Sequence, residues 1–236
     1  MVLQKISEIV EREERQKILD YLAHPDQTEV GPVKTLYYGH SFVAHMQKYM
    51  NTLPDYMHNF GVFPGQGSLS FISKGGATVA RLRKDHNIRK ILRLQPEIVV
   101  IEAGTNDLAD ADLSAADVCA EMLELARDVL DCHVREVIVG QVILRGEEGL
   151  KRAVDDFEQK VYEYNHRIED ALQYLPRASF WHHRKMWKVD IEAQLEDGTH
   201  PNALGNKKLY RSIKGAIQAT MKRIRPAWAT QPFDFY

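Results

Sequence analysis

Short apolar runs that end in glycine and small polar residues recur along this chain, and helical patterns separate them. Leu36-Tyr37-Tyr38 leads into Gly39-His40-Ser41, and Leu69-Ser70-Phe71-Ile72 into Gly75-Gly76. Ile98-Val99-Val100-Ile101 leads into Ala103-Gly104-Thr105-Asn106-Asp107, and Val137-Ile138-Val139 into Gly140-Gln141. Ser179-Phe180-Trp181 is a weaker fifth run. Helices are expected between them, near 78–93, 115–131 and 152–174, with a last one near 203–224. The third is clearest, because Val154, Phe157, Val161, Tyr164, Ile168 and Leu172 step by three or four. Strands with almost no polar alternation are buried on both faces, which is the signature of a parallel sheet covered by helices. The expected fold is therefore α/β, a three-layer α/β/α sandwich on a five-stranded parallel sheet. Such sheets bind ligands at the carboxyl ends of their strands. The polar residues after each run are where chemistry is to be sought.

With 236 residues the chain is long enough for one large domain with a terminal appendage. Leu3, Ile6, Val10, Ile18 and Leu22 predict an amphipathic helix over 3–23, ended by His24-Pro25-Asp26-Gln27 and Gly31-Pro32. We divide the chain into this helix and linker (1–30), the α/β domain (31–225) and an aromatic-rich tail (226–236). The first helix is expected to cap the domain or to serve a homo-oligomer; its mixed charges differ from the Lys-rich face that binds lipid. Thirty-one Lys and Arg against 33 Asp and Glu leave a charge of −2, so nucleic acid is not an expected partner. Cys119 and Cys132 lie in a segment that reads as one helix, about 20 Å apart at the helical rise. That is too far for a disulfide and predicts a reduced, intracellular protein. The acidic run at 11–14 argues against a secretory signal, and no stretch of 18 apolar residues occurs.

Four blocks carry candidate chemistry, and each also has an ordinary reading. Ser41 at a strand-to-helix turn exposes a hydroxyl and a helix N-terminal N–H, or simply caps the helix. Gly76 in Gly75-Gly76-Ala77-Thr78 can aim a bare N–H at a ligand, or make a tight turn. Asn106 in Gly104-Thr105-Asn106-Asp107 offers uncharged donors suited to an oxyanion, or serves the turn. In Asp197-Gly198-Thr199-His200-Pro201, His200 can act as a base near neutral pH, with Asp197 holding its tautomer. The ordinary alternative there is a capping Asp and a surface His. Other signals are weaker. His182 and His183 are adjacent, and His40 and His45 are five apart, so neither pair has the spacing of a helical metal site. Glu147 and Glu148 read as a solvated loop, beside an Arg145 that could meet an anionic group.

The order Ser, Gly, Asn, then Asp-x-x-His resembles the SGNH-hydrolase (GDSL-like esterase) superfamily over about residues 35–215. Gly39-His40-Ser41 corresponds to the family's Gly-Asp-Ser block and Gly76 to its oxyanion glycine. Gly104 to Asp107 match its Gly-x-Asn-Asp block in full, and Asp197 to Pro201 its Asp-x-x-His-Pro block. The resemblance implies a flavodoxin-like sheet and a serine esterase without metal or cofactor, acting on a small-molecule ester. In it Ser41 attacks, His200 is the base and Asp197 orients it, while Ser41 N–H, Gly76 N–H and the Asn106 amide hold the oxyanion. Carbohydrate O-deacetylation at the same site is an alternative. The chain departs at His40, where the family has Asp; this bears on the level and pH dependence of activity, and suggests a catalytically weak binding or assembly module as a third reading. A cationic His40 would oppose the imidazolium at His200; a neutral one would pack beneath the turn. Gly-His-Ser-Phe-Val, with Tyr210-Arg211-Ser212-Ile213 further on, is also loosely similar to SGNH-like domains encoded in invertebrate mobile elements.

Overall fold

The computed structural model describes residues 31–62, 67–151, 153, 155–184, 186 and 191–225. The helix expected over 3–23 and the tail from 226 lie outside them. Five strands form one wholly parallel sheet: β1 (Val33–Gly39), β2 (Gly67–Ser73), β3 (Ile98–Glu102), β4 (Glu136–Gly140) and β5 (Ala178–Trp181). Their order is β2-β1-β3-β4-β5, the flavodoxin-like arrangement expected from the sequence. All five residues of β3 are buried, which is why Ile98 to Ile101 read as a continuous apolar run. Each fully buried Val, Leu or Ile of this core contributes about 1.5–3 kcal/mol.

Among the described residues eight α-helices connect and cover the strands: α1 (Ser41–Met50), α2 (Val79–Leu82), α3 (Asp85–Leu94), α4 (Thr105–Leu108), α5 (Ala115–Asp131), α6 (Glu147–Leu150), α7 (Phe157–Leu172) and α8 (Ala203–Ile224). Helix α5 packs on α2, α3 and α7, while α1 packs on α8. The single helix expected near 78–93 is two helices. Lys84 takes an extended ψ of 138°, and Arg83 beside it donates to Asp128 at 2.8 Å and Glu121 at 3.3 Å on α5. The break falls between Arg83, the C-cap of α2, and Asp85, the first residue of α3, in a helical pattern that contains no Gly or Pro. Helix α7 starts at Phe157, later than expected, and Val154 lies outside the described residues. Ser114 and Asp117 close a capping box at the start of α5, where the pattern placed it. Cys119 lies in α5 and Cys132 is its C-cap; both are buried and unbridged. No helix among the described residues is long and apolar enough to cross a membrane.

The sheet order places the turn after β1 between those after β2 and β3. From β1 the chain moves outward to β2 and then crosses to β3 on the other side. This is the topological switch point, where a crevice opens at the strand ends.

Candidate active site

The turn after β1 is tied to both neighbouring strands. Gly39 N-terminal to it leaves no room for a side chain, since a Cβ there would stand 2.0 Å from the Glu102 carbonyl oxygen. Lys74 N–H donates to Gly39 O and His40 N–H to Glu102 O, both at 3.0 Å. His40 then caps α1: its Nδ1 accepts the Phe42 N–H at 3.3 Å, and its ring meets Phe42 edge-on. The imidazole is 2% exposed. Burial, reinforced by His200 and Arg145, pulls its pKa down to about 3. Of the two roles open to His40, burial and an Nδ1 that accepts a backbone N–H fit the neutral one, a ring beneath the turn serving as the cap acceptor that an Asp would supply.

A pH dependence of stability follows. The folded pKa lies below the unfolded value of about 6.5, so the contribution is complete above that pH and is lost as pH falls toward about 3. His40→Asn retains an oxygen acceptor for Phe42 N–H without a group that charges. Between pH 7.5 and 4.5, urea unfolding should show the variant losing about 2–3 kcal/mol less than the wild type. Equal losses would assign the acid sensitivity to another group.

The second part of the site is a short hairpin. Leu195 and Pro201 bridge, and Glu196 N–H donates to His200 O at 2.8 Å. Asn202 accepts the Leu204 and Gly205 N–H groups and so starts α8 immediately after the hairpin. Gly198 has a φ of +71°, and its Cβ would lie 2.2 Å from Gly149 N on α6, so both conformation and space require glycine. Asp197 Oδ1 accepts the N–H groups of Thr199 (3.0 Å) and His200 (2.8 Å), and Oδ2 meets His200 Nδ1 at 2.9 Å. Burial alone would raise the Asp197 pKa, but the hydrogen bonds from His200 and Thr199 outweigh it and hold the carboxyl well below the usual range. An ionised carboxylate only accepts, so Nδ1 carries the proton and Nε2 is left as an acceptor. Nε2 faces Ser41 Oγ at 2.9 Å. Residues 159 positions apart therefore form one chain of hydrogen bonds, with Ser41 Oγ–H donating to His200 and His200 to Asp197.

The third part comes from the ends of β2 and β3. Gly76 has a φ of +62°, and nothing lies within 4 Å of where its Cβ would be, so its left-handed backbone borders open space. Asn106 on α4 donates one Nδ2–H to Ala77 O at 3.0 Å. An amide has two such hydrogens, so one is left over. Asp107 accepts Val79 N–H at 2.9 and 3.2 Å through its two oxygens. Burial lifts its pKa to about 6 against the pull of that N–H. Asn106 and Asp107 together clamp the Gly76 loop to α4, a role for Asp107 that its place in the sequence block did not specify.

The weaker candidates are used structurally. Arg145 is 7% exposed, with Nη2 donating to Thr105 O at 3.0 Å and its guanidinium over the Phe157 ring. These contacts tie the loop after β4 to the start of α4. Glu147 and Glu148 open α6, where a loop was expected. Gly146 N–H bonds Gly198 O at 2.8 Å, and Glu148 pairs with Lys151. His182 pairs with Glu169 at the surface, while His183 is buried 3.0 Å from Glu102 and bonded to Ser212. His45, five residues from His40, stacks on His200.

Comparison with known proteins agrees with this fold. No curated protein matches the chain. A GDSL-like lipase from Bacteroides thetaiotaomicron superposes with a TM-score of 0.60 at 20% identity, over 85% of this chain and 97% of that one. A carbohydrate esterase family 3 protein from Talaromyces cellulolyticus gives 0.60 at 15%, over 81% and 99%. An acetylxylan esterase from Geobacillus stearothermophilus gives 0.57 at 17%, over 80% and 96%. At these identities the likeness is one of fold. The model of the GDSL-like lipase/acylhydrolase family matches residues 37–208, from the middle of β1 into α8 and so across all four sequence blocks. The chain belongs to the GDSL-like lipase/acylhydrolase family.

Proposed function

We propose that the protein is a serine esterase for small or short-acyl carboxylic esters. The observation that carries this reading is the unbroken Ser41–His200–Asp197 chain, with both links at 2.9 Å. Ser41 Oγ attacks the ester carbonyl as its proton passes to His200 Nε2. The imidazolium is stabilised by the ionised Asp197, which stays a carboxylate. The carbonyl oxygen becomes an oxyanion, held by Ser41 N–H at the start of α1, Gly76 N–H and the second Asn106 Nδ2–H. His200 then returns the proton to the departing alcohol. Water, deprotonated by His200, hydrolyses the acyl-enzyme and frees Ser41. The clamp of α4 on the Gly76 loop supports this assignment, because oxyanion donors act best when already fixed. The neutral His40 leaves the relay intact, which favours an active enzyme over a silent binding module. Removal of O-acetyl groups from carbohydrate follows the same steps and is a narrower form of the reading.

A panel of p-nitrophenyl esters from acetyl to decanoyl tests the substrate class. kcat/KM should peak at the short acyl groups and fall by about tenfold or more at the longest. An optimum at decanoyl, or no turnover of any ester by folded protein, would contradict the reading.

A further inference from the structure

The relay described above leaves an imidazole in contact with it without a role. His45 lies on α1 four residues after Ser41, so one helical turn places both on the same face. Its ring is parallel to that of His200, with 7° between planes and 4.5 Å between centroids. The Phe42 ring approaches His200 edge-on, at 6.2 Å and 71°. His200 is thus held at its ring nitrogens by Ser41 and Asp197 and on one face by His45, with Phe42 of the same helix in edge contact. We propose that His45 is a positioning residue, a neutral aromatic plate that holds the His200 ring in the plane of the relay and accommodates its positive charge during proton transfer.

The chemistry explains why an aromatic suits that position. Hydrogen bonds at Nδ1 and Nε2 hold the ring by its edge, and small torsions about Cα–Cβ and Cβ–Cγ can still tilt its face. A flat neighbour at stacking distance removes this freedom. A neutral π face also tolerates an adjacent cation, whereas a second cation would oppose the imidazolium. The groups facing His45 are Lys48 on α1 and, from the hairpin, Glu196, Asp197 and His200 itself. Burial, His200 and Lys48 lower the His45 pKa against the two carboxylates, so the ring tends to remain neutral beside a charged His200.

This inference rests on the esterase reading, so its test includes a readout independent of turnover. His45→Phe keeps a flat, uncharged ring, His45→Ala removes it, and His45→Lys substitutes a cation. We expect His45→Ala to lower kcat about tenfold with little change in KM, and His45→Phe to restore most of it. In His45→Lys the acidic limb of kcat/KM should move down by roughly one pH unit. The His200 ring nitrogens, followed by NMR titration, should move with it. Wild-type kcat in His45→Ala would overturn the proposal. So would a His45→Phe protein as impaired as His45→Ala, or an unmoved His200 titration in folded His45→Lys. A shifted His200 titration in a protein that hydrolyses no ester would keep the stack and reject the esterase reading.

Discussion

Ser41→Ala should lower kcat for a short-acyl ester by about 10⁶-fold while leaving the thermal midpoint close to that of the wild type. The hydroxyl makes one hydrogen bond, to His200, at a half-buried position, so its loss removes little folding energy. His200→Ala should cost nearly as much, and the double variant no more than either alone, because nucleophile and base act in the same steps. Additive losses would mean that the two residues act separately.

The next largest effect is expected at the proposed oxyanion site. Asn106→Ala should reduce kcat by about 10²–10³-fold with KM little changed, since in the proposed mechanism the amide meets charge that exists only in the transition state. The substitution also removes the bond to Ala77 O, a loss of about 1 kcal/mol that a melting curve can detect separately. A kcat within a few-fold of the wild type in folded Asn106→Ala would remove Asn106 from the chemistry and leave it as a brace for the Gly76 loop.

Much of this arrangement was legible in the sequence because it rests on local patterns. β3 and β4 declare themselves as apolar runs, since both faces of each are covered. Gly39, Gly104 (φ +108°) and Gly198 mark positions where space or a positive φ demands glycine. The Asp197–His200 contact was readable from a spacing of three residues that a tight turn can close. What was not legible depends on long-range contacts. The break at Lys84, next to an Arg83 that reaches across to α5, has no Gly or Pro to announce it. The neutrality of His40 depends on burial to 2% exposure, and a sequence shows only that a histidine precedes the serine. Asp107 bonds Val79 across 28 positions, and Arg145 is drawn under α4 by Thr105 across 40. His45 gave no motif at all; the helical step from Ser41 was the only signal, and it needs the position of His200 to acquire meaning.

The central claim is that Ser41 is a nucleophile activated by His200, and covalent labelling tests it without knowledge of the natural ester. A fluorophosphonate should add one phosphonyl group, with loss of fluoride, and peptide mass spectrometry should place it on Ser41. Labelling should be strongly slowed in His200→Ala and absent in Ser41→Ala. A folded wild-type protein that resists the reagent, or carries the label at another residue, would contradict the account.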